Sequence, residues 1–344
     1  MQIKNLIRYI LILVFIMVLL QSCGSNVPSP SPIIDTISTA TLTPNPTLPS
    51  ATETTAPTLT FTPAPTIARV LIVTFDGLRP DAIAEANMVN VLALMQSGAY
   101  TLSAQTIMPS LTLPAHASMF VGTCPAKHIV RWNEYVPQNG YARGTDVFDL
   151  AKAAGLRTAM VVGKEKLRQI TEPSSTDYFA FIDETDKIDD FTTVERLALD
   201  QIRQGFHLLF VHFPNGDLAG HEFGWMSREQ LKAYTRDDRA FGSLIQSLKD
   251  HALYESTIII VTSDHGGHEM THGTDSPEDM TIPWIISGPR VQPGQLSSQV
   301  QIMDTAATIA YVLGLPQQPE WDGVPVFEAF GAPVTEQSKE CESF

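Results

Sequence analysis

The chain has 344 residues, of which 44% are apolar, and its 22 basic and 37 acidic residues give a formal net charge of -15. This length is enough for one large α/β domain with a substantial core, or for two ordinary domains. Because Lys and Arg are not in excess, the composition argues against a nucleic acid duplex bound through its phosphates. A small phosphate ester is not excluded, since bound metal cations could balance its charge.

The first 22 residues are predicted to be a secretion signal. Lys4 and Arg8 form a basic start, and the apolar stretch that follows is shorter than the ~20 residues that a bilayer-spanning helix needs. The segment ends in LQSC, which resembles the lipobox of bacterial lipoproteins. This resemblance implies a lipid on Cys23 and an extracytoplasmic chain anchored to the bacterial cell membrane. An ordinary signal peptide or an uncleaved anchor is the alternative.

Residues 23–67 are predicted to be a disordered tether, because they are rich in Pro, Thr and Ser and contain no Lys or Arg. Such a composition cannot bury enough apolar surface to fold. A folded domain is expected over residues 68–330, followed by a C-terminal tail over residues 331–344. If Cys23 carries a lipid, Cys124 and Cys341 could form a disulfide in an exported chain. The sequence leaves open whether they meet.

Apolar runs of strand length recur along the folded region, with helix-like segments between them. The runs cover residues 70–75, 157–163, 207–213, 256–264 and 281–288. The helix-like segments cover residues 80–97, 145–154, 192–204, 227–248 and 303–313. This alternation predicts βαβ units and a mostly parallel sheet, and unbroken apolar runs indicate strands that are covered on both faces.

Acidic side chains stand at or just past three of these strand ends, as Asp76, Asp217 and Asp264. Ligand sites of open α/β sheets lie beyond the carboxyl ends of the strands. His221 follows Asp217 by four residues, so a helical turn would place both on one face. His265 follows Asp264 directly. An aspartate that ends a strand is common, but the combination of three Asp and three His without Cys predicts a site for divalent metals with N and O ligands.

A nucleophile is offered by Thr112 in the segment MPSLTLPAHASMF. Pro114 in the expected first turn indicates the start of a helix. A helix N-terminus presents free N–H groups and partial positive charge, which suit an alkoxide and an incoming phosphate. The simpler interpretation is that Thr112 caps the helix.

Five motifs together resemble the alkaline phosphatase superfamily, and within it the type I phosphodiesterase/nucleotide pyrophosphatase family. They are FDGLRPD, PSLTLPAH, GTCPAKHIVRWN, GDLAGHEFG and TSDHGGHEMTHGTD, and with the C-terminal segments IMDTAATIAYVLGLP and WDGVPV they span nearly all of residues 69–326. The resemblance implies a three-layer αβα sandwich with a mostly parallel central sheet. It also implies a metal-dependent hydrolase acting on a small phosphate ester or a nucleotide-like substrate.

Carried over residue by residue, the resemblance implies two zinc ions and a phosphorylated Thr112. One ion would be held by Asp76, Thr112, Asp264 and His265. The other would be held by Asp217, His221 and His272. Asn133 matches the asparagine that donates a hydrogen bond to a phosphate oxygen, and His268 would not be a ligand.

Two positions depart from the pattern of the family. Leu111 precedes Thr112 where many relatives have a polar residue, and Ile129 follows His128 where glycine is expected.

Other functions stay open. A phosphomonoesterase or a phosphonate hydrolase of the same superfamily is possible. A sulfatase is disfavoured because the TLPAH segment lacks the modified Cys or Ser of those enzymes. From another class, the chain could be a non-catalytic surface lipoprotein that binds a ligand. His116 and His212 are expected to be structural.

Overall fold

The computed structural model describes residues 69–182, 192–333, 337–338 and 340–341. The predicted signal segment, the tether and Cys23 lie outside this part of the chain and stay predictions. None of the helices in the described ranges is long and apolar enough to cross a membrane.

The described residues form one eight-stranded sheet. Its strands are β1 (Arg69–Phe75), β2 (Ala99–Gln105), β3 (Thr158–Val162), β4 (Tyr178–Phe181), β5 (Leu208–Phe213), β6 (Thr257–Thr262), β7 (Thr281–Ser287) and β8 (Gly294–Gln295). They lie in the order β4-β3-β5-β1-β6-β7-β2-β8. Only β7 runs against its neighbours, pairing antiparallel with β6 and β2. The mostly parallel sheet of the prediction is therefore confirmed.

The described residues also form α-helices, several of which pack on the two faces of this sheet. They are α1 (Pro80–Glu85), α2 (Val89–Ser97), α3 (Thr112–Val121), α4 (Pro125–His128), α5 (Val147–Ala153), α6 (Thr192–Gln204), α7 (Asn215–Phe223), α8 (Arg228–Asp250), α9 (Pro277–Met280) and α10 (Asp304–Leu313). The segment expected as one helix over residues 80–97 is two. Asn87 separates them with φ 50°, a left-handed conformation that asparagine tolerates better than most residues.

Two apolar clusters show the layers. In β1, Val70 and Ile72 point to the cluster that contains residues of α3, α5 and α10. Leu71, Val73 and Phe75 point to the other cluster, with residues of α1, α2, α6 and α8. Successive side chains of a strand face opposite sides of the sheet. Burial on both faces explains the unbroken apolar runs and confirms the αβα sandwich.

Three strands were missing from the sequence prediction. The strand β2 reads AYTLSAQ, a mixture of polar and apolar residues near one edge of the sheet. The strand β4 is the opposite edge and is only half-buried, and β8 has two residues. Strands at the edge of a sheet, or next to it as β2 is, bury less surface than central strands, so their sequences lack the continuous apolar pattern that marks the centre.

Cys124 and Cys341 are joined by a disulfide, which settles the question that the sequence left open. Cys124 follows the C-terminal end of α3, whereas Thr112 begins that helix. The bond therefore attaches the C-terminal tail to the end of α3 that lies away from the predicted nucleophile.

Candidate active site

The strands β5, β1 and β6 are neighbours in the sheet, and the predicted ligands follow their carboxyl ends. Asp76 comes directly after β1, and Asp264 comes two residues after β6. Asp217 lies in α7, which begins two residues after β5. All three carboxylates are buried. Ser263 and Phe75 are 188 positions apart in the sequence, yet the hydroxyl of Ser263 donates to the carbonyl of Phe75. The pairing of parallel strands thus brings distant residues to a single edge of the sheet.

A first cluster of ligand atoms surrounds Nε2 of His265. This atom lies 3.5 Å from Oδ1 of Asp76 and 3.3 Å from Oδ2 of Asp264. It also lies 3.4 Å from Oγ1 of Thr112. The structure therefore brings together the four residues that the resemblance assigned to one metal ion.

A second cluster contains Asp217, His221 and His272. The Nε2 atoms of His221 and His272 are 3.2 Å apart. Each lies 3.4 Å from Oδ1 of Asp217. Asp217 and His221 meet because both belong to α7 with helical spacing, as the sequence indicated. The three residues assigned to the other metal ion are thus also in contact.

The hydrogen bonds of the histidines fix where their protons lie. The Nδ1 atoms of His265, His272 and His221 face the backbone carbonyl oxygens of Gly266 at 2.8 Å, Ser110 at 2.8 Å and Met270 at 3.0 Å, respectively. A carbonyl oxygen only accepts, so each Nδ1 must donate a proton. In a neutral imidazole this leaves the Nε2 lone pair free, which is the form that binds a metal.

Unpartnered carboxylate oxygens mark the same two clusters. Oδ1 of Asp76, Oδ1 of Asp217 and Oδ2 of Asp264 are buried and accept no hydrogen bond from the described residues. These are the oxygens that lie 3.3 to 3.5 Å from the histidine nitrogens. Ligands of a tetrahedral zinc ion at ~2.0–2.1 Å lie about 3.3 Å from one another. The residues therefore fit two divalent cations.

Thr112 is the first residue of α3, and the N-cap position is Leu111. Its side chain therefore does not act as the plain helix cap that the simpler interpretation assumed. Asn133 takes part in this helix start, because its Oδ1 accepts from the backbone N–H of Leu113 at 2.9 Å. Its amide group also lines a cavity of about 430 Å³ together with Thr112, Asp217 and His272. The side-chain NH₂ of Asn133 can thus donate to a ligand beside Thr112.

Lys164 is a site residue that the sequence reasoning missed. It follows β3 after Gly163 and is 6% exposed. Its Nζ lies 2.5 Å from Oδ2 of Asp217 and 2.7 Å from Oδ2 of Asp76. It is also 3.4 Å from Oγ1 of Thr112. Burial opposes its charge, but the Asp217, Asp76 and Asp264 carboxylates raise the pKa of Lys164, so it stays an ammonium ion. The position of Lys164 at a fourth strand end was the signal that could have identified it.

His212 forms a hydrogen bond with the carboxylate of Asp76. Its Nε2 lies 2.8 Å from Oδ2 of Asp76, and its Nδ1 accepts from the backbone N–H of Gly163 at 3.1 Å. The proton of the neutral ring is therefore on Nε2 and points at the carboxylate. Burial lowers the pKa of His212, which keeps the ring neutral. Burial alone would raise the pKa of Asp76, but Lys164 and His212 hold it well below its usual value.

His116 and His268 each have a hydrogen-bond partner. His116 is fully buried in α3, and its Nδ1 donates to the carbonyl of Thr112 at 2.8 Å and lies 3.5 Å from Oδ2 of Asp264. His268 bonds Oδ1 of Asp279 at 2.7 Å. Among the groups of possible metal ligands found in the described ranges, neither residue takes part.

The chain is similar to known proteins over much of its length. A family model described as type I phosphodiesterase / nucleotide pyrophosphatase matches residues 70–281. An uncharacterized pyrophosphatase/phosphodiesterase of Schizosaccharomyces pombe is 28% identical over 217 residues, which are 57% of this chain and 44% of that protein. Human ectonucleotide pyrophosphatase/phosphodiesterase family member 1 is 27% identical over 216 residues, covering 57% of this chain and 23% of that protein. The chain thus spans less than half the length of these curated relatives.

The fold is shared with solved structures. Murine ectonucleotide pyrophosphatase/phosphodiesterase 5 superposes with a TM-score of 0.62 and 15% identity, over 76% of this chain and 99% of that chain. An inactive variant of the same murine protein, in complex with AMP, superposes with a TM-score of 0.60. With the family model covering most of the sheet and both clusters of ligand atoms up to His272, the chain belongs to the type I phosphodiesterase / nucleotide pyrophosphatase family.

Proposed function

We propose that this chain hydrolyses a phosphate ester, at a diester or pyrophosphate linkage, through a phosphorylated Thr112 at a two-zinc centre. The observation that carries the proposal is the convergence of bare imidazole nitrogens and unpartnered carboxylate oxygens beside one buried hydroxyl. Oγ1 of Thr112 lies 3.4 Å from Nε2 of His265, within the first cluster. A site that served only to stabilise the fold would pair these atoms with protons.

The residues of the chain have distinct roles in this reaction. Thr112 gives its hydroxyl proton to solvent as Oγ1 attacks phosphorus, the ester P–O bond breaks, and the alcohol or phosphate leaves with the electron pair. Water then cleaves the phospho-threonine and restores the hydroxyl. Because Thr112 begins α3, the free N–H groups of the first turn favour the negative charge of the phosphoryl group. The NH₂ group of Asn133 would donate to an oxygen of the phosphoryl group; the bond from Leu113 N–H to its Oδ1, and its position in the lining of the cavity, support this role.

Zinc is the ion that this ligand set favours. Asp217, His221 and His272 form one set. Asp76 and His265 belong to a second group that also includes Asp217, and Asp264 and Thr112 lie 3.3 and 3.4 Å from Nε2 of His265. Imidazole and carboxylate ligands without cysteine, at tetrahedral separations, are typical of catalytic zinc. Two such ions would stabilise the attacking and the leaving oxygen of an in-line displacement.

The names of the relatives support a nucleotide-like substrate. The similar proteins of Schizosaccharomyces pombe and human are named pyrophosphatase/phosphodiesterases, and the related murine structure holds AMP. A phosphomonoesterase, a phosphonate hydrolase and a non-catalytic binding protein are the competing functions. They differ in which phosphorus compound is turned over, if any.

Hydrolysis by the zinc-loaded full-length chain tests the proposal. The purified protein should release nitrophenolate from bis(p-nitrophenyl) phosphate, and Thr112→Ala should lower kcat by at least ~1,000-fold because it removes the nucleophile. Zinc should still be bound by this variant in the zinc-loaded state, because Asp76, Asp264 and His265 remain as ligands of the ion that Thr112 would contact. Ser110→Ala is the matched control, since it removes a hydroxyl two residues away that bonds the carbonyl of Thr274. An active Thr112→Ala enzyme would refute the mechanism, and nucleotide binding without turnover by the wild type would favour the binding protein.

We also propose that the chain is exported and anchored to the bacterial cell membrane by a lipid on Cys23. The basic and apolar start and the LQSC segment support this. Cys23→Ala should move the protein from the membrane fraction to the soluble fraction of an expressing bacterium. Retention in the membrane would favour an uncleaved anchor instead.

A further inference from the structure

Trp225 fills the space between three segments that carry predicted metal ligands. It lies two residues beyond the end of α7, and 8% of its surface is exposed. A glycine from each segment faces its indole ring, and each glycine is within two residues of a predicted ligand: Gly77 of Asp76, Gly220 of His221 and Gly267 of His265. A Cβ atom at Gly267 would lie 2.1 Å from a ring atom, at Gly220 2.9 Å and at Gly77 3.2 Å. The lack of a Cβ atom is what lets these segments approach the ring so closely.

Two hydrogen bonds fix the orientation of Trp225. Its ring N–H donates to the carbonyl of Gly77 at 3.0 Å, and its backbone N–H donates to the carbonyl of Glu269 at 2.6 Å. An indole N–H only donates, so a buried one needs an acceptor such as this carbonyl. Glu269 lies in the turn that leads to His272 and has a left-handed φ of 48°. The bonds of Trp225 thus connect the segment after β1 with the loop that carries His272.

The indole ring contacts both histidines of the second cluster. Its centroid lies 5.1 Å from that of the His221 ring, with the two planes at 90°, and 5.7 Å from that of the His272 ring. Aromatic rings favour edge-to-face contacts with centroids ~4.5–7 Å apart. A large ring at this place therefore limits how far either imidazole can turn.

His221 is the ligand that depends most on such a contact. Its side chain is 45% exposed, whereas the side chains of His272 and Asp217 are 5% and 3% exposed. The carbonyl of Met270 accepts from Nδ1 of His221 at 3.0 Å, and the Trp225 ring packs against the same imidazole. A single hydrogen bond leaves a ring free to pivot about it, so the contact with Trp225 supplies the second constraint.

We propose that the Trp225 indole is a positioning residue for the second metal ion, and that it acts by holding His221 beside His272. The ring itself offers no metal ligand, because its nitrogen carries a proton. This inference rests on the two-metal part of the proposed function and gives the second site a residue outside its ligand set. Without the ring, His272 and Asp217 would keep their places because they are buried, and His221 would turn towards solvent.

The zinc affinity of the full-length chain, measured by competition with a chromophoric chelator, tests this role. Trp225→Leu should weaken the binding of one of the two zinc ions by ~10–100-fold, the usual cost of losing a residue that orients a ligand, and leave the other ion in place. Trp225→Phe keeps an aromatic ring beside His221, so its second ion should bind more tightly than in Trp225→Leu and more weakly than in the wild type. If Trp225→Leu does not fold, equal affinity in Trp225→Phe and the wild type would overturn the inference.

Trp321→Leu is the matched control. Trp321 is also buried, its ring N–H donates to the carbonyl of Thr145 at 3.0 Å, and its ring faces Gly122. Gly122 follows the end of α3 that lies away from Thr112. Loss of this ring should lower stability towards urea and leave both zinc affinities unchanged.

A double variant shows whether Trp225 acts through His221. In the His221→Ala background, Trp225→Leu should cause no further loss of zinc affinity, because the group that the ring positions is gone. A further loss of the same size, equal weakening of both ions in folded Trp225→Leu, or unchanged affinity for both would each overturn the inference. If Trp225→Leu loses the second ion and the wild type cleaves no phosphate ester, the proposed function fails and the inference stands.

Discussion

The Nε2 atoms of His221 and His272 face each other at 3.2 Å, and the hydrogen bonds of both rings place their protons on Nδ1. Two bare lone pairs at this distance repel each other unless a cation lies between them. Burial and the nearby His265 lower the pKa of His272 to about 3, so His272 does not carry a second proton near neutral pH. The pair, with Oδ1 of Asp217, therefore has the arrangement of a metal site.

Replacing His272 should remove one metal ion and leave the other. Loss of a residue that only orients a ligand costs 10–100-fold in metal affinity, so loss of the ligand itself in His272→Ala should cost at least ~100-fold. Metal content per chain after dialysis checks this. His268→Ala is the control on the same loop, because His268 bonds Asp279 rather than the cluster, and it should keep full metal content. Equal loss in both variants would contradict the assignment.

Replacing His212 should weaken metal binding at the first cluster, although His212 is not itself a predicted ligand. It donates to Oδ2 of Asp76 and so orients the carboxylate whose Oδ1 faces His265. His212→Leu removes this donor and should weaken metal binding ~10–100-fold. Competition with a chromophoric chelator measures the affinity. An unchanged affinity in a folded variant would show that Asp76 needs no such support.

Asp146 should make the stability of the fold depend on pH. It caps α5 by accepting from Phe148 and Asp149 N–H groups at 2.8 and 3.0 Å. Burial, with the charge of Asp149, raises the pKa of Asp146 to about 7 from an ordinary 3.8. The native carboxyl therefore binds its proton more tightly than the unfolded one, and the stabilisation present below pH 4 is lost as pH rises to 7.

The comparison with Asp146→Asn isolates this contribution. The free energy of unfolding of the wild type, relative to the variant, should fall between pH 4 and pH 7 by up to about 1.4 kcal/mol per pH unit. Urea unfolding at a series of pH values measures it. A difference in the free energy of unfolding that stays flat or rises over this range would contradict the prediction.

The disulfide should contribute to stability but not to activity. It closes a loop with a sequence separation of 217 residues. Disulfides typically stabilise by about 2–4 kcal/mol, so Cys341→Ser should lower the free energy of unfolding by that amount. Cys124→Ser should cause the same loss, and the double variant no more. Turnover should be kept, since Cys124 and Thr112 flank opposite ends of α3. A single variant with wild-type stability would argue against the bond.

The sequence predicted the centre of the sheet well because buried parallel strands read as apolar runs. It also indicated that Asp76, Asp217 and Asp264 would meet, since their strand ends lie on one edge. The order of the strands, which makes β5 and β6 the neighbours of β1, came only from the structure.

Lys164 and His212 were harder to identify, although the position of Lys164 at a strand end is visible in the sequence. A lysine after a strand usually faces solvent, and only the pairing with Asp76 and Asp217 from other strand ends explains its burial. His212 lies within an apolar run, where an imidazole looks structural, and its contact with Asp76 depends on the neighbouring strand. The disulfide was equally hidden, because spacing along the chain does not show which cysteines meet in space.

The number of metal ions bound by each chain tests the central claim most directly. Native mass spectrometry of the full-length protein, loaded with zinc and then dialysed, should show two ions per chain, one for each cluster of Asp and His ligands. A protein that is folded and retains no zinc under these conditions would contradict the two-metal centre, and with it the role given to Thr112.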